Sequence, residues 1–160
     1  MNPVHSFNES RKRFEPLEKT CQFCQQNENK NMEHNYFVPL FKEQDRTNVI
    51  VYRSVKYSKI PIGIARCENC MEVHESMSNK AGLIAWGLAV MLIVLCIMIW
   101  GLMGIFSFLP GIFIGFFAKE QIENKLVRDQ GILTKLEGAE ENPTVQGLVI
   151  HGWSFAQPSE

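Results

Sequence analysis

The chain has 160 residues, a formal net charge of −1 and 46% hydrophobic residues, yet its mean hydropathy is only −0.08. The apolar residues must therefore be concentrated in one part of the chain. Residues 1–80 carry 12 basic and 10 acidic side chains, and residues 119–160 carry 4 basic and 7 acidic ones. Neither region has the basic excess of a nucleic-acid-binding protein, so we expect no nucleic-acid partner.

The first segment covers residues 1–17. It contains no apolar stretch of the kind that marks a secretory signal peptide. A short basic run at residues 11–13 can touch anionic lipid headgroups, but three charges are more typical of a solvated terminus. We predict a mobile N-terminal tail here.

Two C-x-x-C pairs follow, Cys21 with Cys24 and Cys67 with Cys70. One such pair can place two thiolates on a metal ion, and a second pair completes a tetrahedron. We therefore predict a structural Zn²⁺ site with these four cysteines as ligands. Metal binding would supply folding free energy that so small a domain lacks. The fifth cysteine, Cys96, lies in apolar sequence and is interpreted as a small buried hydrophobic residue.

Other interpretations of the four cysteines stay open at this point. They are a redox-active dithiol, bound iron, and two structural disulfides. A redox site usually has one C-x-x-C, so two matched pairs argue against it. Disulfides would require an oxidising compartment. His34 and His74 are either surface residues or neighbours of the site, and the sequence leaves open whether one of them is a ligand.

The residues between the two pairs have the composition of β-strands. Residues 36–41 read as a strand, and Pro39 suggests an edge strand because proline cannot donate to a ladder. Residues 43–48 read as a polar turn and residues 49–55 as a second strand. Apolar residues then alternate with other residues at Ile60, Ile62 and Ile64, in the stretch that leads to the second cysteine pair. A β-meander or a pair of hairpins is predicted.

After the second pair, residues 71–79 lack Gly and Pro and predict a helix that would put Cys70 and His74 on one face. The arrangement resembles the zinc-ribbon and treble-clef class: a first knuckle, β-hairpins, then a cysteine pair that opens a helix. The resemblance covers about residues 18–78 and implies a zinc domain, which we bound at residues 18–80. Knuckles of that class commonly have Gly after the second cysteine, where this chain has Gln25 and Met71. This difference disfavours iron and favours the helix-opening form.

Residues 81–118 contain no charged side chain. About 18 such residues are typical of a bilayer span, because the hydrocarbon core is about 30 Å thick and a helix rises about 1.5 Å per residue. The whole segment would make a single helix of about 57 Å, so we predict a transmembrane hairpin with spans at residues 81–100 and 105–118. The turn is expected at residues 101–104, with residues 107–111 as the alternative.

Two further features of this segment concern helix association and orientation in the membrane. Gly111 and Gly115 form a G-x-x-x-G spacing, which favours close helix contact and would suit a homo-oligomer. Basic residues flank the segment and are absent from the predicted hairpin tip; they are Arg66, Lys80, Lys119, Lys125, Arg128 and Lys135. The positive-inside rule then predicts an integral, two-pass protein with both termini in the cytoplasm.

The last segment, residues 119–160, is predicted to be a cytoplasmic helical tail. Its first part, residues 119–130, continues the second span as a helix, and residues 137–141 read as an acidic linker. Asn142 is a candidate N-cap and Gly152 a candidate C-terminal stop for a short helix over residues 143–151. So short a helix cannot bury its apolar stripe alone. We expect it to dock on the zinc domain, on a partner chain or on the headgroup layer.

The sequence contains no Gly-rich phosphate loop and no nucleophile motif, so an enzyme is not predicted. The fold class is an α+β membrane protein with a small β-rich zinc-binding N-terminal domain, a two-helix transmembrane hairpin and a short helical C-terminal tail. The predicted function is a non-enzymatic, membrane-anchored interaction or scaffold module that binds the lipid bilayer and an unidentified protein partner. The alternative is a membrane-bound thiol or metal redox protein that uses one C-x-x-C pair.

Overall fold

A computed structural model describes residues 4–49, 52–101 and 106–159 of the chain. These residues form a mixed α+β structure with one four-stranded sheet and four α-helices. The chain divides into two compact units. The first comprises Met1–Cys70 together with Lys135–Glu160, and the second comprises Met71–Thr134.

The sheet of the first unit contains strands β1 (His5–Asn8), β2 (Arg13–Pro16), β3 (Tyr36–Val49) and β4 (Tyr52–Ile64). Their order is β1-β2-β4-β3. The pairs β1/β2 and β3/β4 are antiparallel, and β2 joins β4 in parallel at Phe14 and Ile62. Leu40 and Ile62 are fully buried. Their burial stabilises the part of the sheet that leads to the cysteines.

The N-terminal strands correct the prediction of a mobile tail. Phe7 and Phe14 are cross-strand partners with ring centroids 5.0 Å apart. The guanidinium of Arg13 lies 4.0 Å from the centroid of the Phe37 ring. The two strands have only four residues each. A segment so short carries no clear alternation, and contacts with distant residues such as Phe37 stabilise it.

Strands β3 and β4 form one long hairpin, so the predicted polar turn at residues 43–48 is wrong. The pairing runs from Tyr36 with Ile64 to Val49 with Tyr52 and has one irregularity, between Glu43 and Asp45. Residues 42–46 are all exposed. A ribbon that is solvated on this side has no apolar alternation, which is why its sequence resembles a turn. Pro39 does lie on an edge strand, β3, as predicted.

Helix α1 (Glu68–Trp100) and helix α2 (Phe108–Asp129) form most of the second unit. Residues later in α1 contact residues earlier in α2. Ser78 donates a 2.9 Å hydrogen bond to Glu123, and the Trp86 and Phe116 rings form a T-shaped pair with a centroid distance of 5.4 Å. The two helices are therefore an antiparallel pair. The helix predicted after the second cysteine pair and the helix predicted over residues 119–130 are parts of α1 and α2, respectively.

The predicted turn at residues 101–104 and the predicted start of the second span lie mostly outside the described residues. Gly101 follows α1 directly and has φ +59°, a conformation that favours glycine. Residues 108–111 are helical, so the alternative turn at residues 107–111 is not found. Pro110 lies in the first turn of α2, where the missing N–H removes no helical hydrogen bond.

Among the described residues, one helix is long and apolar enough to cross a membrane, and it is α1. Helix α2 has only eleven residues before Lys119. They would extend about 16 Å, roughly half the thickness of a hydrocarbon core. A second membrane-spanning helix is therefore not shown.

Small residues line the contact between α1 and α2. Gly111 and Gly115 are buried, as are Ala85 and Ala89 of α1. A Cβ atom added to Gly111 would lie 2.9 Å from the Ile93 side chain, and one added to Gly115 would lie 3.5 Å from Cβ of Ala89. The close contact that the G-x-x-x-G spacing predicts is thus made within the chain.

Replacing Gly111 with Val should loosen this helix pair. The added side chain overpacks against Ile93, which we expect to lower the free energy of unfolding by about 1–3 kcal/mol. The matched control is Gly87→Val, because an added Cβ at Gly87 meets no atom within 4 Å. Denaturation of the detergent-solubilised chain, followed by tryptophan fluorescence, measures both variants. Equal destabilisation by the two substitutions would contradict the described packing.

The C-terminal segment of the first unit contains helix α3 (Lys135–Glu140) and helix α4 (Pro143–Ile150). The predicted acidic linker at residues 137–141 is therefore largely helical, which corrects that interpretation. Asn142 caps α4 by accepting from the backbone N–H groups of Thr144 and Val145, as predicted. Gly152 follows α4 with φ +86°.

This segment packs on the β-rich part of its own chain. The side chain of Asn142 donates to Gln22 at 2.8 Å. Phe41 of β3 and Ser154 exchange two backbone hydrogen bonds, each 2.8 Å long. The sequence left three docking surfaces open for the short C-terminal helix. In the structure, the segment that contains this helix docks on the β-rich domain of its own chain. Residues 119–160 are consequently not one tail, because Lys135–Glu160 belong to the first unit.

Candidate metal centre

The first cysteine pair lies in a tight loop after β2. The backbone N–H of Cys21 donates to Asn27 at 2.8 Å, and the N–H of Gln25 donates back to Cys21 at 2.8 Å. The N–H of Gln22 donates to Ala65 at 3.0 Å. Ala65 directly follows β4, so this bond ties the loop to the segment that carries the second pair.

The second pair opens helix α1, as predicted. Cys67 directly precedes the helix and Cys70 lies in its first turn. Arg66 is buried at this junction, donates to the backbone oxygen of His34 at 2.8 Å and lies over the Tyr36 ring. These contacts hold the strand-to-helix connection against the start of β3.

The four sulfur atoms of Cys21, Cys24, Cys67 and Cys70 lie within 4.8 Å of one another. The Sγ atoms of Cys24 and Cys67 are 3.9 Å apart. A tetrahedral zinc ion with Zn–S bonds of about 2.3 Å needs sulfur atoms about 3.8 Å apart. The cluster can therefore hold a metal ion with only a small contraction. Cys24 is half-buried, and the other three cysteines are buried.

The electrostatic environment also suits a cation. Burial raises the pKa of Cys21, and burial together with the neighbouring sulfur atoms raises the pKa of Cys70. Burial acts in the same direction on Cys24, but the backbone N–H groups of Gln26 and Asn27 lower its pKa to about 7. Four thiolates this close repel one another. A divalent cation removes that repulsion and allows all four to lose their protons.

The remaining candidate residues are not members of this cluster. Cys96 is in the apolar part of α1 and is not one of the four clustered cysteines. His74 is buried in the second unit, where its Nε2 atom lies 3.0 Å from the backbone oxygen of Leu133. Neither His74 nor His34 joins the group of ligand atoms.

Phe23, between the two cysteines of the first pair, has a supporting role that the sequence did not reveal. It is almost fully buried and meets the Tyr36 ring edge-on at a centroid distance of 6.4 Å. Phe23 also contacts Gly138 of α3, where an added Cβ would be 2.8 Å from Cδ1 of Phe23 and closer still to Cε1. The only signal for this contact was the pair of small residues Gly138 and Ala139 in an acidic segment.

Comparison of the chain with protein-family models, with curated proteins and with solved structures found no match. The site is therefore interpreted from its own geometry and chemistry.

Gln25 occupies the position at which knuckles commonly have glycine, and it adopts φ +54°. The left-handed conformation costs a residue with a Cβ about 1–2 kcal/mol. We expect Gln25→Gly to raise the stability of the metal-loaded chain by up to about 1 kcal/mol, and Gln25→Val to lower it by at least as much. Chemical denaturation of both variants measures the difference. If Val were tolerated as well as Gly, the described loop conformation would be wrong.

Proposed function

We propose that this protein is a non-enzymatic, membrane-anchored zinc protein whose metal domain is an interaction module at the cytoplasmic face of a membrane. The observation that carries the proposal is the convergence of Cys21, Cys24, Cys67 and Cys70 within 4.8 Å. Four protein ligands close a tetrahedral site and leave no position for water or substrate, which is typical of structural zinc. A structural rather than catalytic role follows.

Zinc is favoured by the type and number of ligands. Four thiolates in a tetrahedron bind zinc or iron, and cysteine pairs that open a helix agree with the zinc class that the sequence resembles. A metal that ties the first loop to the start of α1 would supply folding free energy to a domain with a small core. Reduced thiolates also suit the cytoplasm.

The membrane part of the proposal starts from α1, whose apolar residues 81–100 would extend about 30 Å, the thickness of a hydrocarbon core. Lys119 of α2 lies beside Gly82 of α1, 3.9 Å from a Cβ added there. The apolar part of α2 therefore ends at about the level where the apolar part of α1 begins. The chain would then return across the thickness that α1 crosses before it reaches Lys119, which supports a two-pass hairpin. The flanking basic residues support cytoplasmic termini.

Elemental analysis with thiol titration of the detergent-purified chain tests the metal assignment. We expect one zinc ion per chain and no rapidly reacting thiol among the four clustered cysteines. A reversible dithiol couple or bound iron would instead support the redox alternative.

The topology has a separate test. In sealed vesicles with the cytoplasmic side outward, tags at both ends of the chain should be open to protease. Protection of either tag would exclude the two-pass arrangement.

A further inference from the structure

The β3–β4 hairpin of the first unit has neighbouring strands only near its base. Strand β2 joins β4 at Ile62, and the C-terminal segment joins β3 at Phe41. From the pair of Phe41 and Lys59 to the pair of Val49 and Tyr52, the hairpin continues as a two-stranded ribbon. We call this ribbon the β arm; its described residues are 41–49 and 52–59.

The β arm is exposed to solvent on both of its faces. Successive side chains of a strand point to opposite faces, and residues 42–46 are all exposed, as are Lys56 and Lys59. An isolated two-stranded ribbon is only marginally stable in water. Over residues 42–49 the arm would extend about 26 Å. A ribbon of this length, with edges that no described strand covers, offers a binding surface.

The β arm is the basic part of an otherwise acidic chain. Residues 41–59 contain five basic and two acidic side chains, a net charge of +3. The whole chain has a net charge of −1, so the remainder has −4. Oε1 of Glu43 lies 2.8 Å from Nε of Arg46, and Asp45 is the cross-strand partner of Lys56. The excess positive charge favours an anionic partner and belongs to Lys42, Arg53 and Lys59.

The sequence at the far end of the β arm is apolar. The last described pair is Val49 with Tyr52, and the two residues between them in the sequence, which lie outside the described part, are Ile50 and Val51. Hairpin connections usually contain Gly, Asn or Asp. Apolar and aromatic residues next to basic ones suit the interface of an anionic bilayer, because apolar burial and attraction to headgroups both contribute to binding there.

We propose that the β arm binds the anionic lipid surface of the membrane that holds α1. The first unit is tethered to that membrane, because Cys70 lies in the first turn of α1 and residues 71–80 alone separate it from the uncharged segment. These ten helical residues would extend about 15 Å, which is less than the length of the arm. The inference rests on the proposed function, which assigns the first unit to the cytoplasmic side, where the leaflet is anionic.

The test uses the full zinc-loaded chain with one copy per nanodisc. Nanodiscs of phosphatidylcholine are compared with nanodiscs that also contain phosphatidylserine, and hydrogen exchange is followed by mass spectrometry. Backbone amides of residues 41–59 should exchange at least about fivefold more slowly in the anionic nanodiscs. High salt should remove most of this difference. Amides of β1 and β2 should exchange equally in both lipids.

Two variants test the β arm, and a third is the matched control. Lys56→Gln/Lys59→Gln removes two exposed charges of the arm and should reduce the lipid-dependent slowing at least twofold. Val49→Ser makes the end of the arm less apolar and should reduce the slowing as well. Lys19→Gln/Lys30→Gln removes two exposed charges of the same unit outside the arm and should leave the slowing unchanged. Exchange at the native rate in phosphatidylcholine shows that a variant keeps the structure of the arm.

Several results would overturn the inference. Equal exchange in the two kinds of nanodisc, or full slowing in Lys56→Gln/Lys59→Gln, excludes the arm as a lipid-binding surface. Slowing that requires two chains per nanodisc would identify a second copy as the occupant. Zinc content and the protease accessibility of tags at both ends separate the two proposals. Equal exchange in a chain with one zinc ion and two accessible ends refutes the arm contact alone, whereas a native chain without zinc, or with a protected end, refutes the proposed function.

Discussion

Replacing Cys24 with Ser should release the metal and unfold the first compact unit. The substitution removes one of four sulfur atoms that lie within 4.8 Å of one another and could hold a metal ion. Structural zinc contributes about 10–16 kcal/mol of apparent binding free energy in small zinc domains at neutral pH. This is comparable to the whole stability of a small domain, so we expect the variant to lose cooperative unfolding of the β-rich unit.

Zinc content by elemental analysis and thermal unfolding by circular dichroism measure this effect. The matched control is Cys96→Ala, which removes a cysteine of α1 that is not part of the cluster. It should keep one zinc ion per chain and the native unfolding temperature of the β-rich unit. A chelator should reproduce the Cys24→Ser result in the native chain. Full zinc retention with unchanged unfolding in Cys24→Ser would refute the metal centre.

Replacing Gly138 with Ala should destabilise the same unit without touching a ligand. An added Cβ would lie 2.8 Å from Cδ1 of Phe23 and closer still to Cε1. The Phe23 ring is almost fully buried and cannot move away freely. We expect a loss of about 1–3 kcal/mol from overpacking. Zinc affinity should fall as well, because Phe23 lies between Cys21 and Cys24 in the loop that carries two of the four clustered cysteines.

Two further variants make this prediction sharper. Gly147→Ala is the control, since an added Cβ at Gly147 of α4 meets no atom within 4 Å. It should raise stability by up to about 1 kcal/mol through helix propensity. In the double variant Phe23→Leu/Gly138→Ala, the smaller side chain should relieve the clash, so the two losses should not add. Strict additivity, or equal effects of the two alanine substitutions, would count against the packing of α3 on Phe23.

The sequence predicted those features that depend on local spacing and composition. The C-x-x-C pairs identified the four cysteines that come together. The absence of charge in residues 81–118 marked the candidate membrane helix α1. The Asn142 cap and the proline after it located the start of α4. Each of these patterns can be read within a short stretch of sequence. Metal-ligand spacing and helix capping involve only a few residues, and hydropathy involves about twenty.

Tertiary contacts decided the rest. Residues 5–8 and 13–16 are strands because β2 joins β4 and Arg13 packs on Phe37. The acidic segment around Gly138 is a helix that supports Phe23, although its own sequence resembles a linker. Such contacts join residues that are far apart in the chain, and each of these short segments has too little apolar surface to fold alone. Local pattern therefore determined which cysteines and which helix matter, whereas the segments that hold them in place were fixed only by burial against distant parts of the chain.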